Sequence, residues 1–191
     1  MRGVEASEIL DLTSYEKIRP DFVTRMIELK RPRRIHVGEI LCFIFENRET
    51  VIFQIQEMTR AERAVSEDAI TAEVAVYNEL VPGDHELSAT LMIEIPNQTS
   101  IRPQLDRLIG IDEHVHLDIG DETIRATFDE KQFQEDRVSA VQYIRFPLGK
   151  ELAAKFRESS IPVVLRVDHP SYTGQTVIEG EARASLAGDL A

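Results

Sequence analysis

The chain has 191 residues with 34 acidic against 22 basic side chains, a formal charge of -12 at pH 7. That field repels phosphate backbones and anionic lipid surfaces, which counts against nucleic acid and membrane as partners. A hydrophobic share of 42% beside 29% charged residues is the balance of a packed globular protein, and the length suits one domain over residues 1–191.

A single cysteine, Cys42, cannot form an intramolecular disulfide and cannot supply the thiolates of an iron–sulfur cluster or a structural zinc site. The first ten residues lack a basic segment followed by an apolar one, so no signal peptide is visible. The longest apolar run, residues 40–45, falls far short of the roughly 20 residues of a membrane span. A reducing, cytoplasmic setting is expected.

In chain order, Pro20 suits the first turn of a helix carrying Phe22, Met26 and Leu29 and stopping before Pro32. An extended stretch follows over residues 34–45. Asn47 then caps a helix to about Arg63 with Val51, Ile55 and Met58 on one face. Ser66 caps the next, where Ile70, Val74 and Tyr77 repeat at helical spacing and Glu67 and Asp68 favour the positive end.

The period changes at Leu87, Ala89, Leu91, Ile93 and Ile95, which alternate as in a half-buried strand. Further strands are expected at residues 114–119, 122–128, 139–146 and 162–168, with helical stretches near 101–109 and 148–158. Gly120-Asp121 reads as a two-residue hairpin loop that sets Leu117 opposite Ile124 and His116 opposite Arg125. The expected class is α+β: an antiparallel sheet with helices packed on it and a helical N-terminal third.

The most metal-like grouping is His114, His116 and Asp118, which alternate along one strand and project from one face. Arg125 opposite His116 competes electrostatically with a cation, so a solvated sheet face is preferred there. No resident metal or cofactor is expected, and no stoichiometric iron or zinc.

Glu57, Arg60 and Glu62 lie in a segment rich in acid, base and anion-clamp groups. Helical spacing from Ile55 and Met58 places Glu62 at the edge of the apolar stripe, where a structural ion pair is the favoured role. The basic run Lys30, Arg31, Arg33 and Arg34 is expected to oppose the negative end of its helix and stay in water. Asp168-His169-Pro170 ends an apolar strand and makes His169 a further catalytic candidate. Cys42, inside an apolar run, reads as an inert core residue. No phosphate loop, dinucleotide fingerprint, zinc-protease pair or nucleophile elbow is present.

Several stretches in a fixed order carry a resemblance. They are Arg33-Arg34, Phe45-Glu46-Asn47, Gln54-Ile55-Gln56-Glu57-Met58, Arg60-Ala61-Glu62, Tyr77-Asn78, Ser88-Ala89-Thr90-Leu91, Ala140-Val141-Gln142-Tyr143 and Asp168-His169-Pro170. Together they resemble a bacterial family, domain of unknown function 3501, over nearly the whole chain. The family brings no catalytic residue to carry over. Its members are often encoded near rubrerythrin-like and iron–sulfur oxidoreductase proteins, so the resemblance implies a role beside redox or peroxide-handling machinery. Lacking paired Glu-x-x-His helices, the chain is unsuited to hold such a centre itself. The favoured expectation is an accessory protein that binds a redox protein partner or a small ligand. The alternative is a small enzyme whose site combines Glu57, Arg60 or Glu62 with His169.

Overall fold

The apolar run of the first third forms a strand, β2 (Leu41–Glu46), whose six side chains are all buried. In the computed structural model, which describes residues 1–96, 100–129 and 137–190, Leu41, Phe43 and Phe45 join the main core. Cys42, Ile44 and Glu46 point to the opposite face, as the pleat requires.

The stretch expected to be extended over residues 34–45 is a hairpin of β1 (Arg34–Val37) with β2, in which His36 faces Cys42. Gly38 makes the turn with φ +64°, and a Cβ there would meet Tyr172 Oη at 2.2 Å, so the site requires glycine twice over. β3 (Glu86–Ile93) pairs with β2 and with β7 (Val141–Pro147), and β6 (Thr127–Phe128) completes a sheet of order β1-β2-β3-β7-β6. A second sheet has the order β5-β4-β8-β9, from β4 (Val115–Ile119), β5 (Glu122–Arg125), β8 (Val163–His169) and β9 (Tyr172–Val177).

All described pairings are antiparallel. The helices are α1 (Leu12–Lys30), α2 (Arg48–Ala61), α3 (Glu67–Asn78), α4 (Ile101–Asp106), α5 (Gly149–Arg157) and α6 (Gly180–Asp189). This is an α+β fold, and no described helix is long and apolar enough to cross a membrane.

The Gly120-Asp121 hairpin forms in the expected register, with His116 opposite Arg125 and Leu117 opposite Ile124. The strand expected over residues 122–128 is broken, however. β5 stays with the second sheet, Ala126 donates its N–H to Val115 O at 2.8 Å, and β6 has already crossed to pair with β7 of the first. The two sheets share one core, where Phe43, Leu91 and Phe146 meet Val115, Leu117 and Leu165. A smaller cluster of Val51, Ile55, Val74 and Leu80, joined by Tyr143, packs α2 and α3 on the other face of the five-stranded sheet.

Asn47 and Ser66 cap α2 and α3 by accepting from Thr50 N–H at 3.0 Å and Ala69 N–H at 3.2 Å. α1 begins earlier than Pro20. Asp11 caps it by accepting from Ser14 N–H at 3.0 Å, and Pro20 lies within it on the exposed face, where water can reach the carbonyl it leaves unpaired.

Of the basic run, Arg31 and Arg34 stay exposed as expected, but Arg33 does not. Arg33 is 1% exposed: Nε donates to Phe45 O at 2.8 Å, Nη2 to Glu46 O at 3.1 Å and Nη1 to Ser185 Oγ at 3.1 Å, while Asp189 supplies the counter-charge. Lys30 lies over the Phe53 ring, Arg31 pairs with Glu181 and Arg34 approaches Glu94. Arg183 holds the other side of α6 by donating to Phe156 O at 2.5 Å and to Glu158 O and Ile161 O at 3.1 Å each. Removing one partner of a buried ion pair strands the other. Arg33→Ala is therefore expected to destabilise the protein by about 3–5 kcal/mol in urea unfolding, more than Arg31→Ala at the exposed pair.

Candidate functional site

The Asn47 cap fixes the phase of α2 and turns Glu57 toward α1, where Tyr15 and Arg19 stand one turn apart. Arg19 grips both carboxylate oxygens, Nε to Oε1 and Nη2 to Oε2 at 2.8 Å each, and Tyr15 Oη donates to Oε1 at 2.6 Å. The Arg19 hydrogen bonds hold the Glu57 carboxyl below its ordinary range despite partial burial. Burial, then Glu57, pushes the Tyr15 phenol up. Arg60 Nε donates to Glu16 Oε1 at 2.5 Å. A carboxylate held by three donors is a poor proton acceptor and a good tie between helices.

Glu62 differs from expectation. α2 ends at Ala61, so Glu62 is the C-cap and exposed rather than at the edge of the apolar stripe.

On the second sheet, His114, His116 and Asp118 do project from one face, but Asp118 is taken. Arg166 donates to it from Nε at 2.8 Å and Nη2 at 3.2 Å, and Thr123 Oγ1 donates at 2.7 Å. The imidazoles turn instead to Asp168, with His114 Nδ1 and His116 Nε2 at 3.0 and 3.1 Å from its Oδ1, while Arg166 Nη1 donates to Oδ2 at 2.6 Å. Arg166 also stands opposite His116 in the β4–β8 register. One carboxylate oxygen thus bridges two imidazoles, and one guanidinium is shared between Asp118 and Asp168.

Burial works to raise the Asp168 carboxyl, but the hydrogen bonds from His114, Arg166 and His116 together outweigh it and hold it at about 2. His169, 5% exposed, has both ring nitrogens occupied: Nε2 lies 3.0 Å from Ile109 O and Nδ1 accepts from Ser171 N–H at 3.1 Å. That pattern requires the neutral ring protonated on Nε2. Its edge meets the His114 ring at a centroid distance of 5.2 Å. Among the described residues no hydrogen bond, ion pair or ring contact joins His169 to Glu57, Arg60 or Glu62.

Two features escaped the sequence. The first is a group of His36, Cys42 and Glu94, whose ligand atoms lie within 4.8 Å of one another. The hairpin at Gly38 and the β2–β3 register bring them together, which no local stretch of sequence signals. The second is a cleft of about 610 Å³ walled by Val76, Tyr77 and Leu80 of α3 and its C-terminal turn, Phe128 of β6, and Tyr143 and Arg145 of β7. Burial pushes both phenols up, that of Tyr77 against a Gln54 hydrogen bond and that of Tyr143 with help from Tyr77 and Glu46. Both are neutral at physiological pH. Arg145 is committed to Glu86 at 2.5 Å and to the Glu79 carbonyl.

Glu57→Gln is expected to cost about 1–2 kcal/mol in thermal unfolding, a screened value for a partly exposed pair, whereas Glu62→Gln stays within about 0.5 kcal/mol of wild type. For Asp168 the folded value lies below the ordinary carboxyl value of 3.8, so its contribution to stability is present above that value and is lost as pH falls toward about 2. A carboxyl NMR titration is expected to give a midpoint near 2 for Asp168, rising toward the ordinary range in Arg166→Ala and in the double variant His114→Ala, His116→Ala.

The profile of the family described as Protein of unknown function (DUF3501) matches residues 3–190. A crystal structure of a novel protein of unknown function from Burkholderia pseudomallei K96243 is 36% identical, with all of both chains covered and a TM-score of 0.93. No curated protein matches. By the extent of the family match and by this likeness across the full length, the chain belongs to the DUF3501 family.

Proposed function

We propose that the protein is an accessory binding protein rather than an enzyme, and that it takes a small uncharged ligand in the cleft between α3 and the β6–β7 edge. The observation that carries this reading is the cleft itself: about 610 Å³, lined by apolar and aromatic side chains and two phenols that remain protonated, with Glu79, Asp129 and Arg145 among its polar lining. Pockets for small molecules are mostly apolar, with a few polar groups that fix orientation. Neutral phenols donate hydrogen bonds to a carbonyl or ether acceptor and do not abstract protons. Arg145 is already neutralised by Glu86, which disfavours an anion as the ligand.

What supports this over an enzyme built on Glu57, Arg60, Glu62 and His169 is the occupation of those groups. Glu57 is anionic and gripped, Arg60 is paired with Glu16, Glu62 is in water, and His169 spends both nitrogens on backbone. A setting beside redox or peroxide-handling proteins rests on the family resemblance, and such a protein partner is the one to test alongside the ligand.

Native mass spectrometry of the chain isolated from the cells that make it reads a bound molecule as a mass increment. The expected result is an increment lost in Tyr143→Ala and in Phe128→Ala. Two null results together would sink the proposal: no increment, and a panel of small aromatic carbonyl fragments that shifts no amide resonance at Tyr77, Phe128 or Tyr143.

A further inference from the structure

Pleating puts alternate residues of three neighbouring strands on one face, and on the face turned away from the main core three kinds of metal-ligating side chain meet. His36 of β1 stands directly across from Cys42 of β2, and Cys42 across from Met92 of β3. Glu94 follows Met92 by two residues and so lies on the same face. An imidazole nitrogen, a sulfur and a carboxylate oxygen thus come within 4.8 Å of one another. We propose that His36, Cys42 and Glu94 form a binding site for a thiophilic divalent cation of the zinc class, with the fourth position open to water or an exogenous ligand.

The donor set matches the cation. Thiolate, imidazole and carboxylate are the three ligand types that zinc takes from proteins, and three of them leave the open coordination position of a non-structural site. A lone cysteine counts against a site made of thiolates, not against one completed by nitrogen and oxygen.

The backbone that carries the ligands is held on both sides of the turn. Tyr172 Oη donates to Val37 O at 2.8 Å and accepts from Ile40 N–H at 3.3 Å, Glu94 N–H donates to Ile40 O at 2.7 Å, and Thr176 Oγ1 donates to His36 O at 2.5 Å. Cys42 is fully buried, His36 exposed and Glu94 in between, so an ion enters past the imidazole and carboxylate with the sulfur as the floor. Thiolate ligation requires that a cation bound here displace the Cys42 proton.

Arg34, on the same face two residues before His36, sets Nη1 3.7 Å from Glu94 Oε1. It is the resident counter-charge, half in water, beyond hydrogen-bond distance of Glu94 but within reach of Cys42, and a bound cation takes its place. The site shares no lining residue with the cleft of the proposed ligand, so either reading can fail alone.

The experiment is titration of the chelator-stripped full chain with Co²⁺, followed by displacement with Zn²⁺. Because the chain holds one cysteine, a thiolate-to-cobalt charge-transfer band reports Cys42 alone. The expected result is one Co²⁺ per chain with that band, displaced by Zn²⁺. Affinity is weakened at least about tenfold in His36→Ala and in Glu94→Gln, the loss that even outer-shell changes produce, and strengthened in Arg34→Ala. These three positions have side chains in contact with solvent, so the variants fold, which circular dichroism checks. Absence of the band overturns the site. A band of unchanged affinity in both His36→Ala and Glu94→Gln overturns it too, because the thiolate would then be acting without its partners.

Discussion

A strand covered on both faces must satisfy two environments at once, and β2 is the element around which the others are placed. Its core side, Leu41, Phe43 and Phe45, is met by the second sheet, while Ile44 and Glu46 lie on the side where α2 and α3 pack. Glu46, 7% exposed, accepts from Thr90 Oγ1 at 2.9 Å, and the carbonyls of Phe45 and Glu46 at the strand's end are closed by Arg33. A buried guanidinium there needs a counter-charge, and Asp189 provides it from the last turn of α6. The arginine that precedes β1 thereby ties down α6, adding a polar link to the apolar packing of Leu186 and Leu190 in the core. Burial raises the Asp189 carboxyl against the pull of Arg33, which shows how far that pair is removed from water.

The same logic of satisfaction governs the ionisable groups that looked chemical. Glu57 sits in a three-donor grip, Asp168 between two imidazoles and an arginine, and His169 between two backbone groups. Each is a local solution to partial burial. The two proposals rest elsewhere, on the cleft at α3 and on the sulfur-floored triangle of β1, β2 and β3.

Elements whose signals are local were legible in the sequence. Asn47 and Ser66 announce their helices because a cap acts within one turn, and Leu87, Ala89, Leu91 and Ile93 announce β3 because one face is dry. Gly120-Asp121 set a register because two alternating runs flank it. Where a signal was masked, the reading failed. Pro20 drew attention from the Asp11 cap, since a proline is expected to open a helix rather than sit on its wet face. β9 exposes alternate residues at an edge and carries Gly174, which leaves little apolar pattern to find. The site candidates were legible as residue types but not as pairs: Asp168 as the partner of His114 and His116, and Cys42 as a neighbour of His36 and Glu94, depend on strand order, which no window of sequence contains.

The break at Ala126 has a mechanical corollary. A chain that leaves one ladder and enters another within a residue works like a stitch through two layers of cloth: β5 cannot peel from β4 without loading β6, and the sheets cannot slide past each other without tearing one seam. Tension applied across the molecule would be shared by both sheets at once, and a cut in the peptide at this point would release both edges, β6 with the Phe128 wall of the cleft among them.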